Sequence, residues 1–167
     1  MKVVRAALAA ASLIATGADA RGEVLFAGGA WAAIDRGAVC EALVRSAKIA
    51  PKDKPQASAT IAFTPDHRRW GELSVALSRP LRPGSTVMLN VGPSPFLLVA
   101  RGSTAWSRGP AQELAIIAAI RGATTMRVEA RDTAGARFVD PYLLDGAPTA
   151  IDAAAARCAL RGAGKVR

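Results

Sequence analysis

Residues 126–143 read MRVEARDTAGARFVDPYL, and this stretch indicates the fold class most directly. Met126, Val128 and Ala130 alternate with charged residues, as expected of a strand that buries one face. A second strand-like run follows at residues 137–143, and the DTAG segment between the two runs is rich in turn-forming residues. The stretch therefore predicts an antiparallel hairpin.

Comparable short runs, separated by glycine and proline, occupy most of the preceding chain. Residues 30–34 and 39–44 flank Asp35-Arg36-Gly37, which is typical of a hairpin turn, and residues 48–56 form a polar loop with two prolines and three lysines. Further strands are predicted at residues 59–63, 73–77, 86–91, 96–100 and 104–106. Strands and helices do not alternate in βαβ order, so the sequence predicts an α+β domain built on a mostly antiparallel β-sandwich or curled sheet.

Two short helices are predicted. The first covers residues 110–121, with proline in its first turn, Glu113 near its positive end and Gly122 as a stop signal. The second follows Thr149, which we expect to be its N-cap, with Asp152 three residues later in a capping-box position. This second helix is rich in alanine and carries Cys158 near its end.

The N-terminal 20 residues have the pattern of a secretory signal peptide. Lys2 and Arg5 precede an uncharged run at residues 6–18, and Ala18-Asp19-Ala20 matches a signal-peptidase site. The alternative is an N-terminal helix of the folded domain, but the run is apolar on all sides. We therefore expect a signal peptide at residues 1–20, a single extracytoplasmic globular domain at 21–160 and a flexible tail at 161–167. The mature protein is predicted to be periplasmic or secreted, with no transmembrane segment after cleavage.

Cys40 and Cys158 are the only cysteines in the sequence. In an oxidising compartment such a pair usually forms a disulfide, and here only one connectivity exists. Two separate buried thiols remain the alternative. A bond between them would close a loop of 118 residues (158 minus 40) and cross-link the final helix to the first hairpin.

The chain is basic, with a formal net charge of +9. Removal of residues 1–20 takes away Lys2, Arg5 and Asp19, which leaves 20 basic against 12 acidic residues, a net charge of +8. Such a charge attracts anionic partners at low salt, and outside the cytoplasm we expect an anionic envelope component or protein rather than nucleic acid. The alternative is a charge that serves solubility alone. The candidate anion-binding residues are Arg68, Arg69, Arg79 and Arg82, on two loops that we expect to meet.

Trp70 is a candidate for stacking on a partner, because it lies in a polar segment beside Arg69 and Glu72. Packing within the core or a turn is the alternative interpretation of this side chain.

No arrangement of residues typical of catalysis or of cofactor binding occurs in the sequence. His67 is the only histidine, and no serine lies in a nucleophile elbow. Asp66 with Glu72, or Asp140 with Asp145, would be candidate acid–base pairs, but surface carboxylates or turn caps are the simpler explanation of these residues. The two cysteines lack metal-site spacing. We therefore expect a protein that is not an enzyme and holds no cofactor or metal; a secreted inhibitor or chaperone-like partner of an envelope protein is the alternative function.

The chain resembles the invasion-associated locus B family of alphaproteobacterial envelope proteins. The resemblance rests on the signal peptide, on Trp31 followed by Cys40 in the first hairpin, on Leu81-Arg-Pro-Gly84, and on Tyr142-Leu-Leu-Asp-Gly146 before an alanine-rich helix. Members of the family commonly carry further cysteines in the middle of the chain, which are missing here. The resemblance implies a β-sandwich-like extracytoplasmic domain; some pathogenic members are associated with host-cell invasion.

Overall fold

The structure is a computed structural model that describes residues 22–164. The predicted signal peptide and the last three residues of the predicted tail lie outside the described residues. The described chain forms ten strands and two helices. The strands are β1 (Glu23–Gly28), β2 (Trp31–Asp35), β3 (Cys40–Arg45), β4 (Ser58–Phe63), β5 (Trp70–Ala76), β6 (Val87–Val91), β7 (Ser94–Arg101), β8 (Thr104–Trp106), β9 (Thr125–Arg131) and β10 (Arg137–Leu143). The helices are α1 (Pro110–Gly122) and α2 (Ala147–Ala163).

The strands form one antiparallel sheet in the order β1-β2-β3-β4-β5-β8-β7-β6-β9-β10. β7 connects its two halves, because its first part pairs with β6 and its last three residues pair with β8. The predicted α+β class, with a mostly antiparallel sheet and two helices, is confirmed.

The sheet curls so that β10 runs past the ends of β2 and β3. Trp31 Nε1 donates a hydrogen bond to the Leu143 carbonyl at 2.9 Å, and the Ala47 amide donates to the Pro141 carbonyl at 2.8 Å. The edge strands β1 and β10 do not pair with each other, so the sheet remains open.

Alternate residues of the strands point into a single core, which the two helices cover on one side. α1 contributes Ile116 and Ile120 to this core, while α2 contributes mainly alanines and Ile151. Small side chains let α2 approach β2 and β3 closely. Cys158 of α2 is bonded to Cys40 at the start of β3, with their Cα atoms 5.9 Å apart, and both residues are fully buried. The predicted disulfide is confirmed.

α2 begins three residues earlier than the sequence indicated. Gly146 is its N-cap residue, in a left-handed conformation (φ 83°), and Pro148 lies in the first turn, so Thr149 is inside the helix and makes no cap hydrogen bond. The prediction of Thr149 as N-cap is wrong. Asp152, expected in a capping box, pairs instead with Arg121 of α1.

α2 also ends later than expected. Residues 161–163 belong to its last turn, and Arg161 contacts the β2–β3 turn, so this part of the predicted tail is helical. Within residues 22–164, neither helix has the length and apolar character required to cross a bilayer.

Candidate functional site

Four connecting segments meet at one end of the curled sheet: residues 46–57, 77–86, 101–104 and 131–137. Leu81 donates a backbone hydrogen bond to Gly102 at 3.0 Å, and Arg82 donates one to Arg131 at 3.1 Å. These bonds join the β5–β6 loop to the β7–β8 and β9–β10 turns. Residues 46–57 lie beside the same loop, with a hollow between them and residues 78–80. We call these four segments the basic end.

The charge of the described chain is concentrated at the basic end. It carries eight basic residues and two acidic ones, a net charge of +6. The remaining described residues comprise nine basic and ten acidic ones, a net charge of −1. The charged residues of the basic end are Lys48, Lys52, Lys54, Arg79, Arg82, Arg101, Arg131 and Arg137, with Asp53 and Asp132.

A groove at the basic end is lined by Arg82, Arg131 and Arg137, and we call it the arginine groove. It is an open depression of 650 Å³ whose walls include residues 83–86 and whose lining also contains Glu129. Among residues 22–164, Arg82 and Arg131 form no ion pair with a carboxylate. Arg131 donates through Nη1 to the Gly135 carbonyl at 2.9 Å, which leaves its other N–H groups for a ligand.

Glu129 is the one carboxylate that lines the arginine groove. It accepts from Arg127 at 2.6 Å and from Arg137 at 2.5 Å. These two guanidinium groups hold the pKa of Glu129 below its usual value. Glu129 is therefore ionised at neutral pH and neutralises part of the charge of Arg137.

Arg79 stabilises the turn between β9 and β10 rather than facing the groove. Its Nη1 lies 2.8 Å from Oδ2 of Asp132, and this hydrogen bond is the main reason that the pKa of Asp132 is lowered. Oδ1 of Asp132 also accepts from the amides of Ala134 and Ala136, at 3.1 and 2.9 Å.

The four arginines proposed from the sequence do not form one patch. Arg79 and Arg82 lie at the basic end, whereas Arg68 and Arg69 lie in the β4–β5 loop, at the opposite end of β5. A strand of this length, seven residues, separates the two loops by roughly 20 Å. The expectation that these loops meet is therefore wrong. Arg69 is paired with Glu72 at 2.8 Å.

Trp70 contacts two aromatic rings. His67 stacks on it with ring centroids 4.0 Å apart and an interplanar angle of 22°, and Phe63 meets it edge-on at 5.2 Å. His67 adopts an unusual left-handed backbone conformation (φ 58°) in this position. One face of the Trp70 indole is thus covered by His67.

The carboxylates considered as acid–base pairs serve the local fold. Asp66 accepts from the Thr64 hydroxyl at 2.6 Å and from the Arg68 amide at 3.1 Å, and these bonds lower its pKa. Asp140 is buried and accepts from both the amide and the hydroxyl of Ser78, at 3.0 and 2.5 Å. In the part of the chain that the structure describes, no three histidine, cysteine or acidic residues cluster as metal ligands would.

Sequence reasoning missed Arg131 and Arg137 as groove residues. A signal was present, because both flank the predicted turn at residues 132–135. Two residues at the ends of a hairpin are cross-strand neighbours, and the structure pairs Arg137 with Arg131. What the sequence did not indicate is that Arg82 joins them from a different loop.

No protein-family model, curated protein or solved structure matches this chain.

Proposed function

We propose that this protein is a non-enzymatic periplasmic or secreted binding protein, similar to invasion-associated locus B proteins, that holds an anionic envelope component or protein in the arginine groove. The observation that carries the proposal is the convergence of Arg82, Arg131 and Arg137 on one open groove, at the end of the molecule that holds its excess positive charge.

Recognition in this groove depends on guanidinium geometry. A guanidinium presents several N–H donors in a plane and pairs with phosphate, sulfate or carboxylate through two parallel hydrogen bonds. Arg82 and Arg131 come from different segments that are joined by a backbone hydrogen bond of 3.1 Å, so the distance between their backbones is set before a ligand arrives. The surrounding positive field raises the rate at which anions reach the groove, and salt screens that attraction.

The proposal is tested by the binding of a fluorescent heparin hexasaccharide, measured by anisotropy at several salt concentrations. Replacing Arg82 and Arg131 by alanine should lower the affinity at least tenfold at low salt and reduce the salt dependence. The matched control replaces Arg68 and Arg108, two exposed arginines at the other end of β5, and should change the affinity less than twofold. Equal losses in both double variants would mean that net charge alone determines binding, and would contradict the groove.

Glu129→Gln is expected to raise the affinity, whereas the arginine replacements lower it. It removes the carboxylate that lines the groove and frees Arg127 and Arg137 from their partner. We expect the affinity for the same hexasaccharide to rise severalfold at low salt. An affinity that falls in this variant would show that the anion does not bind beside Glu129.

A further inference from the structure

The loop at residues 46–57 exposes a large aliphatic side chain among lysines. Ile49 is 87% exposed, more than any other large hydrophobic residue in the described range; the next is Leu160, at 74%. Lys48, Lys52 and Lys54 belong to the same loop, and Asp53 is its single acidic residue. Single exposed aliphatic side chains are common on protein surfaces, but Ile49 lies among three lysines in one loop, and this combination of apolar and positive groups points to a binding surface.

The loop is held in a defined shape. Its ends are joined by a hydrogen bond from the Ser46 amide to the Ala57 carbonyl at 2.8 Å. The Gln56 side chain lies across it, accepts from the Ala50 amide at 2.8 Å and donates to the carbonyls of Ser46 and Lys48, at 3.0 and 3.1 Å. The Ser46 hydroxyl and the Ala47 amide attach the loop to Pro141 of β10. Because the loop is ordered before it binds, contact with a surface costs little conformational entropy.

The loop is also continuous with the rest of the basic end. Ile49, Lys48 and Lys54 line the same hollow as Arg79. Asp53 and Asp140 line it too. With three lysines and one aspartate the loop nevertheless carries a net charge of +2, and the whole basic end carries +6, so Ile49 lies in a positively charged part of the molecule.

We infer that residues 46–57 dock on an anionic lipid bilayer, with Ile49 entering the boundary between headgroups and acyl chains while the three lysines contact headgroup phosphates. A bilayer with anionic lipids offers both an apolar layer and negative charge at one interface, and lysines extend their ammonium groups toward that interface while their stems contact apolar material. A soluble anion offers no apolar layer for Ile49. This inference rests on the proposed function, because it names the anionic component that the basic end meets.

The test is co-sedimentation of the purified full-length chain with vesicles of phosphatidylcholine containing about one-third phosphatidylglycerol, and with vesicles of phosphatidylcholine alone. We expect binding to the anionic vesicles to be much stronger. Ile49→Ser should weaken it about tenfold, as the loss of one largely buried aliphatic side chain predicts. Leu114→Ser, which removes a 66% exposed side chain from α1, is the matched control and should leave binding unchanged.

Charge is tested in the same assay by replacing Lys52 and Lys54 with glutamine. Each lysine near an anionic surface increases binding roughly fivefold, so replacing both should weaken vesicle binding about twenty-five-fold. Replacing Arg68 and Arg108 with glutamine removes the same charge from the other end of β5 and should have a small effect. A local measurement comes from spin-labelled lipid, which should broaden the methyl NMR signal of Ile49 and leave that of Ile117 in α1 unaffected.

The outcomes separate the two proposals. Unchanged vesicle binding in Ile49→Ser, together with an unbroadened Ile49 signal, overturns bilayer docking by this loop. Bilayer docking is also overturned if vesicles do not bind while the heparin hexasaccharide still does, and the arginine groove then stands without the membrane. If the unmodified protein binds neither the anionic vesicles nor the heparin hexasaccharide, the proposed function is overturned as well.

Discussion

Arg161, in the last turn of α2, places Nη2 2.8 Å from Oδ2 of Asp35 at the end of β2. Its Nη1 also donates to the Gly37 carbonyl at 2.6 Å, and Nε of Arg157 lies 3.2 Å from the same Asp35 oxygen. Neither guanidinium aligns an N–H group with Oδ2 well enough for a hydrogen bond, so the attraction at this atom is ionic. Oδ1 accepts from the Gly37 amide at 2.8 Å. The end of α2 is thus attached to the β2–β3 turn beside the disulfide.

Asp35→Asn should lower the free energy of unfolding by about 1–3 kcal/mol, because a buried carboxylate that pairs with two arginines is replaced by a neutral amide. The arginines are partly exposed and regain water, which keeps the loss below that of a fully buried pair. Urea unfolding measures the change. Glu41→Gln, which breaks a more exposed pair with Arg36 next to the same turn, is the control and should cost less than about 1 kcal/mol. Equal losses of stability in Asp35→Asn and Glu41→Gln would show that the buried ion pairs of Asp35 stabilise the fold no more than the exposed pair does.

Replacing Cys40 and Cys158 together by alanine should lower the free energy of unfolding by about 3–5 kcal/mol. The bond closes a loop of 118 residues, and its loss restores conformational freedom to the unfolded chain. Unfolding of the oxidised protein with and without reductant gives a second measurement of the same quantity. A loss below about 1 kcal/mol in both experiments would show that packing of α2 alone holds the helix in place.

Gly146→Ala should be strongly destabilising, by about 2–4 kcal/mol, for two reasons. Gly146 has a left-handed backbone (φ 83°), and an added Cβ would lie only 2.1 Å from the carbonyl oxygen of Gly28. Gly84→Ala is the matched control, since Gly84 also has positive φ (74°) but no atom lies within 4 Å of the added carbon. We expect Gly84→Ala to lower the free energy of unfolding by only about 1 kcal/mol, the cost of placing a side chain at positive φ. Thermal unfolding of the two variants side by side tests the difference.

Tyr142, the single tyrosine of the chain, should make the protein sensitive to alkali. Burial, with a smaller effect from Asp140, raises its pKa far above the ordinary value of 10.0. Below pH 10 the hydroxyl is protonated in both the folded and the unfolded state, so this group does not lower the free energy of unfolding. Above it the unfolded state releases the proton while the folded state retains it, so the free energy of unfolding should fall by about 1.4 kcal/mol per pH unit.

The tyrosinate absorbance band measures this directly, because it should appear only as the protein unfolds. Tyr142→Phe removes the band, and stability in this variant should fall less steeply with pH. Tyrosinate absorbance that develops near pH 10 in a still-folded protein would contradict the burial of the hydroxyl.

Elements encoded by local patterns agree with the sequence prediction. β10 covers the residues expected, and the β2–β3 and β9–β10 hairpins form around the turns at residues 35–37 and 132–135. Alternating burial and turn-forming residues act over a few positions, so a single sequence reveals them. With only two cysteines a disulfide could have only one connectivity, and the predicted export made its formation the expected outcome.

β1 was not predicted, for a local reason. Its residues EVLFAG do not alternate, and its pairing with β2 shifts register between Val24 and Phe26. As an edge strand it buries none of its side chains fully. The helix start at Gly146 was missed for a different reason: Thr149 fits the capping pattern, but the left-handed glycine three residues earlier already turns the chain into the helix.

The composition of the candidate site could not be derived from local sequence. The strand order β5-β8-β7-β6-β9-β10 determines that the 131–137 turn adjoins the loop that carries Arg82. Arg68 and Arg69 lie at the other end of β5 from the loop that carries Arg82. Which loops meet depends on non-local strand pairing, and the spacing of arginines along the chain carries no information about that pairing.

The position of α2 against β2 and β3 has a consequence for the order of synthesis. Chains grow from the N-terminus, so the first three strands emerge about a hundred residues before the helix that covers their buried face. Until then the apolar face around Trp31, Ala42 and Val44 has no native cover and is open to wrong associations. A chaperone that shields this early hairpin would therefore act during a definite interval of biogenesis, which ends when residue 158 becomes available to Cys40.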